Sequence, residues 1–182
     1  LQGTVQYCTI TSVGEQMIAF DYWYSDAASV PMPTIANVGP IVFDHCTMIC
    51  GGNFVMFFQT DFPGDLSYIT VKNSILGAVK DNAIISTAVF QPSRTTGFNL
   101  VHQYNCYPQY WSYALGTDPA VAKDATELGN TDGSVLDPFL DVTTGYAIGA
   151  NSVCEGAASD GLDIGAYQYQ APNAAGNWQL FN

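Results

Sequence analysis

Three short segments repeat one order of residue types: Val5-Gln6-Tyr7-Cys8-Thr9-Ile10, Phe43-Asp44-His45-Cys46-Thr47-Met48 and Val71-Lys72-Asn73-Ser74-Ile75-Leu76. A fourth, Gly97-Phe98-Asn99-Leu100-Val101, fits more loosely. With Cys8, Cys46, Ser74 and Leu100 as equivalents, the steps are 38, 28 and 26 residues. Repeats of this length, rich in β-branched and aromatic residues, read as coils of a solenoid. One coil cannot bury its own apolar face. Stacking at about 4.8 Å per layer pairs the backbone between neighbours and builds a continuous core. Equivalent positions then form ladders: Cys8, Cys46 and Ser74 in one, Ile10, Met48 and Leu76 in another, and Tyr7, His45, Asn73 and Asn99 beside them. Helical periodicity is weak, and Gly, Pro, Asn and Asp punctuate the chain. Only Ala120–Leu128 suggests a helix, and a short one. The surplus length leaves the coils as two excursions, Tyr22–Pro33 and His102–Tyr113.

The closing quarter carries a second signal. Leu136-Asp137-Pro138-Phe139-Leu140-Asp141 is followed by Gly145-Tyr146-Ala147-Ile148, Asn151-Ser152 and Asp163-Ile164-Gly165-Ala166-Tyr167-Gln168-Tyr169. This series resembles the end of right-handed parallel β-helix proteins, above all the secreted, pectate-lyase-like bacterial surface proteins with a choice-of-anchor Q domain. There a turn, a coil and a terminal strand recur in this order, and a stacked Asn often marks a bend of each coil. The resemblance implies an all-β chain, a right-handed parallel β-helix of about five coils with loop excursions. We expect one domain over 1–172 and a C-terminal tail over 173–182.

Charge narrows the partners. Four Lys+Arg stand against 16 Asp+Glu among 182 residues, a net charge of −12. Phosphate neutralisation needs clustered Lys and Arg, so nucleic acid is a poor partner. An anionic membrane surface is excluded on the same ground, and no apolar run nears the roughly 20 residues of a membrane-spanning helix. The polar surface comes instead from Ser, Thr, Asn, Gln and Tyr, as suits a secreted or cell-surface protein facing glycans.

The chain starts at Leu1, without an initiator Met, and the first coil begins at once. An uncapped coil edge invites association. We therefore expect preceding coils of the same protein, or else a neighbouring chain, at the N-terminal edge. Five cysteines (Cys8, Cys46, Cys50, Cys106 and Cys154) leave at least one without a partner in the chain. Cys46 and Cys50 lack the second pair that zinc requires, so stacked core thiols are the simpler expectation.

Catalytic candidates are few. A polysaccharide lyase needs a base near the uronate α-carbon and a cation on the sugar carboxylate. Lys80 and Arg94 are the only residues placed to serve, and no acidic Ca²⁺ cluster accompanies them. A glycoside hydrolase needs converging carboxylates. No pair among Asp61, Asp65, Asp118, Asp124, Glu127, Asp137 and Asp141 stands out. His45 and His102 are too isolated for a catalytic triad, with no serine in a strained Gly-flanked turn. We expect no cofactor, Ca²⁺ being the one alternative: Asn130-Thr131-Asp132-Gly133-Ser134, with Asp137 downstream, is similar to a Ca²⁺ loop but lacks its remaining ligand positions and terminal Glu, and a plain Asp-Gly turn explains it better. We assign no metal ligand.

Aromatic clusters are the better signal. Tyr22, Trp23 and Tyr24 lie in one excursion; Tyr104, Tyr107, Tyr110, Trp111 and Tyr113 lie in the other. Aromatic faces with a polar handle suit sugar stacking or a protein interface; folded back, they would instead cover the coils. We expect an extracellular structural or adhesive domain that binds glycan or protein through these aromatics and performs no catalysis itself. The alternatives are a lyase or hydrolase acting on acidic polysaccharide, and a self-assembling filament or phage-fibre subunit.

Overall fold

The computed structural model describes residues 2–12, 16–20, 40–51, 54–58, 69–78, 90–92, 101–108, 124–129, 136–138, 140–141 and 146–168. These residues are strand-rich and contain no helix. Strands β1 (Gly3–Gln6), β4 (Ile41–Asp44), β7 (Ile69–Lys72) and β10 (Val101–Gln103) form one sheet. A second holds β2 (Thr9–Ser12), β5 (Thr47–Cys50) and β8 (Ile75–Ala78); a third holds β3 (Gln16–Phe20), β6 (Phe54–Phe58) and β9 (Phe90–Pro92). Every pairing in these three sheets is parallel. Apolar residues run nearly unbroken through β4, β5 and β6, the pattern of parallel strands covered on both faces.

Register is residue for residue. Val5, Phe43, Val71 and His102 lie in line, and so do Gln6, Asp44, Lys72 and Gln103. In the second sheet the lines are Thr9–Thr47–Ile75 and Ile10–Met48–Leu76. The equivalences among the first three repeats therefore hold as the sequence suggests. The fourth does not: Tyr104 and Asn105, not Asn99 and Leu100, continue the lines, a shift of five residues. His102–Tyr107 thus belongs to the stacked layers and not to an excursion.

Between the first and second sheets the chain turns on one residue in the left-handed region. Tyr7, His45, Asn73 and Tyr104 have φ of 51°, 49°, 52° and 53°. That conformation costs an L-residue about 1–2 kcal/mol; Asn73 and His45 are of types enriched there, and the two tyrosines are not. The next residue offsets part of the cost. Ser74 Oγ accepts the N–H of Cys46 at 3.0 Å, and Asn105 Oδ1 accepts the N–H of Ser74 at 3.0 Å. Asn105 Nδ2 in turn donates to Glu127 Oε1 at 3.1 Å. The ladder Cys8–Cys46–Ser74–Asn105–Glu127 so joins five layers. Bridges Ile75–Cys106 and Cys106–Leu128 run alongside it.

Residues 124–129 form a turn and a bridge, not the expected helix. Asp124 Oδ1 accepts the N–H of Thr126 at 2.9 Å, and Leu128 N–H bonds to Asn105 O at 2.8 Å. A short polar side chain that captures the backbone locally competes with helix.

The closing segment departs from the parallel pattern. β11 (Leu140–Asp141) and β12 (Ala147–Ile148) are antiparallel. Residues 161–168 then form bends and not the terminal strand that the resemblance implies. Their amides divide between side chains and backbone carbonyls: Gly165 N–H to Asn73 O at 2.9 Å, Ile164 N–H to Cys154 O at 2.9 Å, and Ala166 N–H to Thr47 Oγ1 at 3.0 Å. Ile148, Cys154, Ala158 and Ile164 pack with Ile75 and Cys106. Because side chains alternate along a strand, this segment covers the Thr47–Ile75 face of the second sheet. Met48 and Leu76, on the opposite face, have no exposed surface either.

Candidate functional site

The groups with chemical potential gather at the corner between the first two sheets, in two clusters. In the first, Asp44 ends β4. Its Oδ2 accepts from Gln6 Nε2 at 3.1 Å and lies 3.3 Å from Lys72 Nζ; its Oδ1 accepts from Asn73 Nδ2 at 2.9 Å and faces His45 Nδ1 at 3.0 Å. Burial works to raise the Asp44 carboxyl, but the bonds from Asn73, Gln6 and Lys72, with the charge of Lys72, outweigh it and hold it below the ordinary 3.8. His45 is 1% exposed. Tyr7 stacks on its ring at a centroid distance of 5.0 Å, and Asp160 Oδ1 of the closing segment lies 3.5 Å from its Nε2.

The second cluster surrounds Glu127, which is buried. Tyr107 Oη donates to Oε1 at 2.6 Å, Asn105 Nδ2 to the same oxygen, and Asp124 N–H to Oε2 at 3.1 Å. His102 Nδ1 lies 2.9 Å from Oε2. Burial, then the charge and hydrogen bond of Glu127, push the Tyr107 phenol well above 10. Asp124 is held below its ordinary value, chiefly by the bond from the Thr126 hydroxyl.

Both histidines have carboxylate neighbours. Each meets a carboxylate: His45 its chain neighbour and Asp160, His102 the Glu127 of the next layer. Adjacency of Asp44 and His45 was a usable signal. The 22-residue step from Asn105 to Glu127 becomes visible only once the fourth layer is placed correctly.

The expected binding aromatics divide. Tyr22, Trp23, Tyr24, Tyr110, Trp111 and Tyr113 lie outside the described residues, as do Lys80 and Arg94. Tyr104 is half-buried at the fourth corner. Tyr107 has no exposed surface and gives its hydroxyl to Glu127. That is the placement of a core side chain and not of a displayed one. Tyr7, outside both expected excursions, is 50% exposed at the edge of the first layer.

Asn130–Ser134 also lies outside the described residues, and Asp137 is exposed. Among the described residues no three His, Cys, Asp or Glu side chains converge as a metal site would require. Comparison with protein-family models, with curated proteins and with solved structures finds no match.

Proposed function

We propose that the chain is a right-handed parallel β-helix domain of a secreted or cell-surface protein, with a structural and adhesive role. The observation that supports this reading is the shared register of the parallel strands, with the same left-handed corner at Tyr7, His45, Asn73 and Tyr104. A unit repeated in this way makes a stiff rod whose side chains stand at fixed spacing. The charge of −12 and the scarcity of Lys and Arg fit an uncharged glycan or a protein neighbour better than a polyanion. Among the described residues, strands β1, β2 and β3 pair only with β4, β5 and β6, which offers an edge for a preceding coil or a second chain. Tyr22, Trp23, Tyr24, Tyr110, Trp111 and Tyr113 supply the glycan-binding surface, and the domain performs no catalysis of its own.

A glycan array tests the proposal directly. Retention on particular glycans without turnover, weakened in Trp111→Ala, is the expected result. Release of unsaturated or reducing sugars from an acidic polysaccharide, lost in Lys80→Ala or Arg94→Ala, would replace it with the lyase reading.

A further inference from the structure

We propose that His45 is a proton-operated latch holding the closing segment, residues 154–168, against the corner of the stack. The inference rests on the contacts around His45 alone and is independent of the rod or glycan reading. His45 belongs to the second layer, yet its two ring nitrogens face carboxylates from different parts of the chain. Nδ1 is 3.0 Å from Asp44 Oδ1, and Nε2 is 3.5 Å from Asp160 Oδ1. Nε2 is buried and makes no hydrogen bond.

A neutral imidazole carries one N–H and one lone pair, so it serves only one of two carboxylates and turns a lone pair on the other. An imidazolium has a proton for each. The remaining charged neighbour, Lys72, is 3.3 Å from Asp44 on the oxygen that His45 does not use. Tyr7 covers one face of the ring. Thus, among the described residues, the charge balance at Nε2 is set by His45 and Asp160.

Asp160 sits between the anchors of the closing segment. Ser159 N–H donates to Asn73 Oδ1 at 2.9 Å; Gly165 and Ala166 donate to Asn73 O and Thr47 Oγ1. Asp44 and Asn73 are themselves joined, so the latch and these anchors share one polar group. Protonated His45 with ionised Asp160 holds the segment down. The ion pair exists only while both ring nitrogens carry protons; without the second proton Nε2 turns a lone pair on Asp160, and the segment opens more often over Thr47 and Ile75.

Amide hydrogen exchange of Ser159, Gly165 and Ala166, corrected for intrinsic rates, reads the opening directly. From about pH 5 to about pH 8 protection of these amides should fall roughly two- to fivefold, the scale of a partly exposed ion pair, while Leu76 and Met48 keep theirs. Asp160→Asn removes the charge at an exposed position that leaves the core intact, and His45→Gln removes the titrating ring. In both variants the pH dependence should vanish. Protection that is flat with pH in the unaltered chain, or an unchanged pH dependence in Asp160→Asn, overturns the latch.

Discussion

Ser74 Oγ accepts the backbone N–H of Cys46 from the neighbouring layer and donates to the carbonyl of Lys72 two residues upstream, at 3.0 and 2.7 Å. A single hydroxyl thereby closes the corner that the left-handed residue opens. Lys72 O has a second donor in His45 N–H. Removing the hydroxyl thus orphans chiefly the buried Cys46 N–H. Ser74→Ala should destabilise the domain by about 1–3 kcal/mol, the desolvation penalty of an unpaired buried donor. A shift of the denaturant midpoint at constant slope would show it; no measurable shift would mean that the corner ladder does not stabilise the stack.

The first corner cluster predicts an acid limb. Asp44 has a carboxyl held below its ordinary 3.8 by Asn73, Gln6 and Lys72 against the opposing effect of burial. A depressed carboxyl contributes stability that is complete above the unfolded value and is lost as pH falls through the folded one. Stability should therefore decline below about pH 4, and Asp44→Asn should flatten that decline while lowering stability at neutral pH. An identical acid limb in Asp44→Asn would assign the loss to other carboxylates.

Tyr107 sets the opposite limb. Burial and the Glu127 charge raise its phenol well above 10, so its contribution is complete below the unfolded value and is lost as pH climbs toward the folded one. Phenolate absorbance from this residue should appear only together with alkaline unfolding. Tyr107→Phe keeps the ring and deletes a 2.6 Å bond to the buried carboxylate. It should cost about 1.5–3 kcal/mol, the range for hydrogen bonds to charged groups.

Sequence alone made the repeat legible because β-strand ladders impose residue type at each level: Val5, Phe43 and Val71 share one line, and Ile10, Met48 and Leu76 another. It misplaced the fourth layer by weighting Asn99 as a bend residue. Tyr7, His45 and Tyr104 adopt the same φ as Asn73 without being Asn, because stacked neighbours hold the corner whatever its side chain. The shared pair Gln6-Tyr7 and Gln103-Tyr104 was the better guide. The second carboxylate partner of His45 was hidden for another reason. Asp160 lies on a segment whose docking follows from tertiary contacts, not from any period. Cover of the Thr47–Ile75 face by that segment likewise left no trace in the repeat.

Gly165 shows how closely the segment fits. Its φ is 110°, and an added Cβ would stand 2.8 Å from Ile75 Cδ1 and 3.0 Å from Thr47 Oγ1. Backbone strain of about 1–3 kcal/mol at such a φ then adds to overlap with a fully buried side chain. Gly165→Ala should lift residues 154–168 before it unfolds the strands. Proteolysis within 154–168 should speed up markedly while exchange at Leu76 stays slow. Equal losses in both places would mean that segment and sheet unfold as one unit.

The five thiols divide by position. Cys8 is exposed on the first layer, whereas Cys46, Cys50, Cys106 and Cys154 are buried. Cys106 and Cys154 lie in one core cluster, and the hydrogen bond with Cys154, followed by burial, raises the Cys106 thiol well above its ordinary value. Burial likewise raises Cys46. Since the thiolate is the reactive form, the raised Cys46 and Cys106 are disfavoured, and access favours Cys8 over all four buried thiols. A thiol reagent added to the folded protein should titrate one group per chain rapidly and the rest only on unfolding, and Cys8→Ser should abolish the fast phase. Rapid modification of Cys106 or Cys154 in the native state would show that the closing segment opens far more readily than its anchors to Asn73 and Thr47 imply.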